Sequence, residues 1–143
     1  MIGGQIIDLK GETEVLSLET LERLHRMKTG ALIECAARLG CLAAGFFPDS
    51  EPSHQAAAYA KGIGLAFQVV DDLLDVCGDS ETLGKPIGAD ISHNKTTFLT
   101  YFDQEGAKQY ARERTAEALT AISAWEGSGI LSDLAVYLTE RTN

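Results

Sequence analysis

Asp71, Asp72 and Asp75 fall within five residues, just after Gln68. If the segment is helical, Asp75 lies ~40° round from Asp71 and Asp72 lies ~60° further. Gln68 falls between Asp75 and Asp72, and Asp79 would join the same sector. Carboxylates on so narrow an arc repel, at roughly a few tenths of a kcal/mol per pair even on an open surface. A hard divalent cation held by oxygen ligands would remove that cost. A solvated acidic face is the commoner fate of such a run, so spacing alone leaves both readings open.

A second oddity is Lys28. It sits in an apolar stripe formed by Leu21, Leu24, Leu32, Cys35, Leu39 and Leu42, with His25 and Thr29 on the shoulder. A lysine there must snorkel out, pair with a carboxylate, or point into a polar cavity. The cavity could be the one the aspartates face. Further lysines, Lys85 and Lys95, follow the acidic run in a segment rich in glycine. Ammonium groups beside carboxylates suit an anion held jointly by metal and lysine. For an arbitrary loop a solvated surface is the simpler reading. The glycines do not make a Walker-type loop, since no strand precedes them and the spacing differs.

The elements that must position these groups all read as helices. Residues 67–75 carry apolar positions at helical spacing with no internal proline, and the third helix spans about His54 to Val76. Its far face holds Ile63, Phe67, Val70, Leu73, Leu74 and Cys77 as core. Gly62 and Gly64 inside it suggest close backbone approach, since each costs about 1 kcal/mol against alanine. A long helix from Leu18 to Ala44 precedes it, with Ser17 as N-cap. Ala36, Ala37, Gly40, Ala43, Ala44 and Gly45 predict close helix contact near its end. Pro48 and Pro52 mark the turn between the two, with Ser50 or Ser53 as the next cap. Thr96 to Trp125 reads as helix with a break near Asp103 to Gly106, closed by Gly127 and Gly129. Ile130 to Thr139 is a last amphipathic helix that buries Leu131, Leu134, Ala135 and Leu138. At the other end, Met1 to Leu9 resembles the end of a helix closed by Gly11, with no cap before it. That predicts a start inside an element, hence a piece of a longer chain. Gln5 and Asp8 share one face there, and a solvated helix side is the simplest reading of the pair.

The chain of 143 residues is long enough for one domain with a real core, and at 45% hydrophobic it should fold. A net charge of −9 without a basic block argues against nucleic acid and anionic membrane surfaces. No apolar run is long enough to span a bilayer and no signal peptide is evident, so the expected location is the cytoplasm. Cys35, Cys41 and Cys77 lack paired zinc spacing and read as reduced core residues.

Several segments together resemble the trans-isoprenyl diphosphate synthases, most closely the bacterial farnesyl and geranylgeranyl types. Phe67-Gln68 through Asp71-Asp72-Leu73-Leu74-Asp75, then Gly78-Asp79, Leu83-Gly84-Lys85-Pro86, Gly88-Ala89-Asp90 and Asn94-Lys95-Thr96-Thr97 resemble that family's second aspartate-rich region. Gly4-Gln5 with Asp8-Leu9 resembles its segment just after mid-chain. Lys28-Thr29-Gly30-Ala31-Leu32 resembles its Lys-Thr-Gly motif. One such motif is weak, but several in order across the chain are specific. The family's first aspartate-rich motif, with its arginines, and its basic site for isopentenyl diphosphate have no counterpart here. The resemblance therefore covers the C-terminal half.

The resemblance implies an all-α fold: about five helices of an isoprenoid synthase bundle, in a single domain over residues 1–143. It implies Mg2+-dependent condensation of isopentenyl diphosphate with an allylic diphosphate. Asp71, Asp72 and Asp75 would bind metal, and Lys28, Lys85 and Lys95 would hold diphosphate. Lys28, Thr29 and Gln68 would be catalytic, the last two steadying a cation with their oxygen dipoles. Half a bundle would expose apolar faces, so a homodimer is expected, and the isolated chain is expected to be inactive. The competing reading is a helical module that holds Mg-diphosphate or pairs with a partner subunit without chemistry.

Overall fold

The structure is a computed structural model that describes residues 1–77 and 95–141. Among them all regular structure is helical: α1 (Ile2–Lys10), α2 (Leu18–His25), α3 (Ala31–Ala43), α4 (Glu51–Cys77), α5 (Gln104–Ala121) and α6 (Gly129–Thr139). A π-helical turn, Arg26–Gly30, joins α2 to α3, and a 3-10 turn, Phe98–Thr100, precedes α5. Counting α2 to α3 as one rod gives the five helices expected of this all-α fold.

Helix α4 is the element on which the others pack. It contacts α2, the π turn and α3 on one side and α5 and α6 on the other. Its buried positions Ala56, Tyr59, Ile63, Ala66, Val70 and Leu73 recur at three- and four-residue intervals and line the core. One cluster joins Leu21, Val69, Val70, Leu73, Phe98 and Ala111; a second joins Tyr59, Ile63, Ala118, Ile122 and Ala135. Gly62 lets α4 and α5 meet. A Cβ on it would lie 2.7 Å from the Arg114 carbonyl oxygen and 2.8 Å from the Ala118 Cβ.

The helix ends follow local chemistry. The Ser17 side chain accepts a hydrogen bond from the Thr20 N–H, capping α2 as its position predicts. Asp103 likewise accepts from the Gly106 N–H and starts α5, so the predicted break near Asp103 is real. Gly45, at φ 88°, ends α3: its N–H donates to the Leu42 carbonyl and that of Phe46 to the Cys41 carbonyl. The Ser50 hydroxyl donates to the Phe47 carbonyl, and its own carbonyl accepts from the His54 N–H at the head of α4.

Several expectations need correction. The rod from Leu18 to Ala43 is not one α-helix. Its π turn admits one extra residue, which turns everything downstream by ~100°. Leu32, Leu39 and Leu42 are therefore exposed, as is Cys35. The face toward α4 carries Gly30, Ile33, Ala37 and Cys41 instead; Gly30 and Ile33 lie against Gly64, and the Cys41 thiol reaches the Pro52 carbonyl. Of the small residues near the end of α3, Gly40 does not make the predicted close contact, since nothing lies within 4 Å of where its Cβ would stand. Leu134 is exposed rather than buried; Ala135 is the fully buried residue of α6. Helix α5 ends at Ala121, and Trp125 lies in the following turns, its indole N–H donating to Gln55. Gly127, at φ 80°, makes the bend, while Gly129 opens α6.

Candidate functional site

A cavity of about 370 Å³ opens between the ends of α1, α2 and α4 and residues 95–97, just before the 3-10 turn. Asp8, Asp71, Asp72 and Asp75 line it, with Lys28, Lys95 and Arg141 among them. Gln68 and His25 complete the polar wall, and Leu16, Leu21 and Leu24 supply an apolar one. Of the residues singled out by sequence, Lys28, Gln68, Asp71, Asp72, Asp75 and Lys95 thus converge on one space. Lys85 lies outside the described residues.

Lys28 and Thr29 stand in the π turn. Gly4 brings α1 onto it: a Cβ there would lie 2.5 Å from the Lys28 backbone nitrogen. Asp8 is one helical turn further on and shares the face of Gly4. Its carboxylate receives the Lys28 ammonium at 2.5 Å and that of Lys95 at 3.4 Å. Asp8 is therefore a half-buried anchor for two lysines rather than a solvated residue, with a side chain only 12% exposed. Gln5 beside it is exposed, as expected. Burial pushes the Asp8 carboxyl up, but its hydrogen bonds and charge contacts with Lys28 and Lys95 outweigh that and hold its pKa below the ordinary value.

The three aspartates of α4 differ in their surroundings. Asp71 accepts from the Gln68 amide at 3.1 Å and from Arg141 Nη2 at 2.8 Å. The Arg141 guanidinium lies over the Phe67 ring, 4.3 Å from its centroid. Asp72 is buried, and its Oδ2 accepts the Phe98 N–H at 2.7 Å. Asp75 is half-buried on the cavity wall. Thr29 Oγ1 donates to Gln68 Oε1 at 3.3 Å, so these two residues touch. Among the described residues no three His, Cys, Asp or Glu side chains are gathered as a metal cage. The donor set suits a hard cation all the same: carboxylates and an amide, with lysines beside them to hold a bridging anion.

Sequence reasoning missed Asp8 as an anchor and did not single out Arg141. The spacing of Gly4 and Asp8, one close-approach position followed a turn later by an acid, was the available sign for the first. For Arg141 there was none, because only the fold brings the chain's last turn onto α4.

Residues 1–127 match the polyprenyl synthetase family model. The chain belongs to that family. It is 42% identical to the farnesyl diphosphate synthase of Escherichia coli (strain K12), covering 99% of this chain and 48% of that one. It is 38% identical to the geranylgeranyl diphosphate synthase of Cyanophora paradoxa, covering 100% of this chain and 48% of the relative. A solved geranyltransferase from Helicobacter pylori, complexed with magnesium and isoprenyl diphosphate, superposes with a TM-score of 0.77 at 33% identity. That match covers 98% of this chain and 45% of that one. The chain spans about half the length of the curated relatives it matches. No helix among the described residues is long and apolar enough to cross a membrane.

Proposed function

We propose that this chain forms the diphosphate-binding half of a trans-prenyltransferase, a cytoplasmic polyprenyl diphosphate synthase of the farnesyl or geranylgeranyl type. The reaction is condensation of isopentenyl diphosphate with an allylic diphosphate. The allylic carbon–oxygen bond breaks and releases inorganic diphosphate, the isopentenyl double bond attacks the resulting cation, and a proton is lost. The observation that carries this reading is the meeting of Lys28 and Lys95 with Asp71, Asp72 and Asp75 on one cavity.

In this reading Asp71, Asp72 and Asp75 hold Mg2+, which when bound neutralises charge on the departing diphosphate. Asp72 already accepts the Phe98 N–H and stands behind the other two. Lys28 and Lys95, gathered by Asp8, would hold diphosphate oxygens, with Lys85 as the third lysine of this reading. They are fixed positive charges where negative charge develops. Thr29 and Gln68 would steady the cation with their oxygen dipoles. The wall of Leu16, Leu21 and Leu24 keeps water from it.

A second reading is a helical module that binds Mg-diphosphate or pairs with a partner subunit without chemistry. The exposed side of α3 supports pairing, with a second copy of the chain as the expected partner. One assay separates the two. The purified chain is mixed with Mg2+, isopentenyl diphosphate and an allylic diphosphate, and binding and product are both measured. Binding with little or no turnover is expected of the chain alone. Loss of neither property in the double variant D71N/D72N would sink both readings.

A further inference from the structure

His25 Nδ1 lies 2.8 Å from Gln68 Oε1, the same oxygen that receives the Thr29 hydroxyl. Gln68 Nε2 lies 3.1 Å from Asp71 Oδ2. These contacts fix the amide's orientation. Turned over, the Gln68 carbonyl would oppose the Asp71 carboxylate, and acceptor would face acceptor. The carbonyl oxygen has only lone pairs to offer His25, so Nδ1 carries the proton. The imidazole itself is held flat against Phe98, with ring centroids 5.3 Å apart and an interplanar angle of 24°. Phe98 is fully buried and its N–H is bound by Asp72. Asp71 and Asp72, adjacent in sequence, are thus joined a second time through Gln68, His25 and Phe98.

We propose that His25 is a positioning residue that sets the Asp71 carboxylate through the Gln68 amide. The proposal rests on the diphosphate-binding reading above and adds a residue to it. Partners one step behind a metal ligand orient that ligand, and their loss weakens metal affinity by roughly 10–100-fold. His25 is placed for that work. It fixes which end of Gln68 meets Asp71.

The test uses the whole chain, with Mg2+ and inorganic pyrophosphate as probe. His25→Phe keeps the stacked ring and removes the donor; His25→Leu replaces it if His25→Phe does not fold. His25→Asn returns an N–H close to the position of Nδ1. His25 stands one step behind Gln68, which itself touches the ligand Asp71, so calorimetric titration should show pyrophosphate binding in the presence of Mg2+ weakened several-fold, up to about tenfold, in His25→Phe. The melting temperature should change little, and His25→Asn should recover most of the loss. The Gln68 side-chain amide resonances, recorded without ligand, should move in His25→Phe and stay near wild type in His25→Asn. Equal pyrophosphate affinity in wild type and His25→Phe overturns the proposal, as do unchanged Gln68 resonances. If the resonances respond but wild type itself fails to bind pyrophosphate, the diphosphate reading falls while the control of Gln68 by His25 stands.

Discussion

Arg141 Nη2 donates to Asp71 Oδ1 at 2.8 Å, across 70 residues of sequence. A cation already occupies a carboxylate read as a metal ligand. Part-exposed pairs of this kind are worth at most about 1 kcal/mol. Removing the arginine should therefore strengthen Mg2+ binding by roughly two- to fivefold, since 1.4 kcal/mol is tenfold. Titration of R141Q with Mg2+ checks this. A weaker affinity in the variant would mean that Arg141 serves the ligand rather than competes with it.

Asp8 gathers Lys28 and Lys95, and its native pKa lies below the ordinary carboxylate value of 3.8. A carboxylate with a depressed native pKa binds more protons unfolded than folded around its titration. Its contribution to stability is present above the unfolded value and is lost as pH falls through the native one. D8N should be less stable than wild type at pH 7, by up to about 1 kcal/mol for so exposed a lysine partner. The gap should close below about pH 4. Urea unfolding of both proteins across that range measures it.

Two glycines should respond in opposite directions to alanine. At Gly62 the new methyl meets the backbone of α5, and overpacking there should cost about 1–3 kcal/mol. At Gly40 nothing lies within 4 Å, and the residue is inside a helix, so alanine should stabilise by about 0.5–1 kcal/mol. Thermal unfolding of G62A and G40A gives both signs.

The outer side of α3 presents Leu32, Leu39 and Leu42 to solvent, followed by Phe46 and Phe47. If a second copy covers this side, L32E/L39E should shift sedimentation of the chain toward the monomer while its circular dichroism keeps the same helicity. Unchanged sedimentation at every concentration would remove the face from consideration as a self-association surface.

The fold class was legible because periodicity and capping are local. Ser17, Asp103 and the turn around Pro48 mark real boundaries, although α4 begins at Glu51, before the expected His54. The aspartates and Lys28 stood out because each breaks the pattern of its own helix, and the fold brings them to one cavity. What could not be read is whatever depends on a second element. The π turn leaves no mark in composition, so one phase error at Arg26–Gly30 misplaced Leu32, Leu39 and Leu42 together. Asp8 looked solvated because its lysines are 20 and 87 residues away.

That extra residue in the Arg26–Gly30 turn acts as a gear tooth between two faces that must mesh at once. Upstream, Leu21 and Leu24 engage the core; downstream, Ile33 and Cys41 do. Deleting any one residue of the turn would let the rod wind smoothly, yet it would rotate one half against the other. Either the lysine would swing off its acid or the downstream half would present its leucines to α4. A locally easier helix would thus come at the expense of agreement between the ends, which is why the irregular turn sits where Lys28 and Thr29 are.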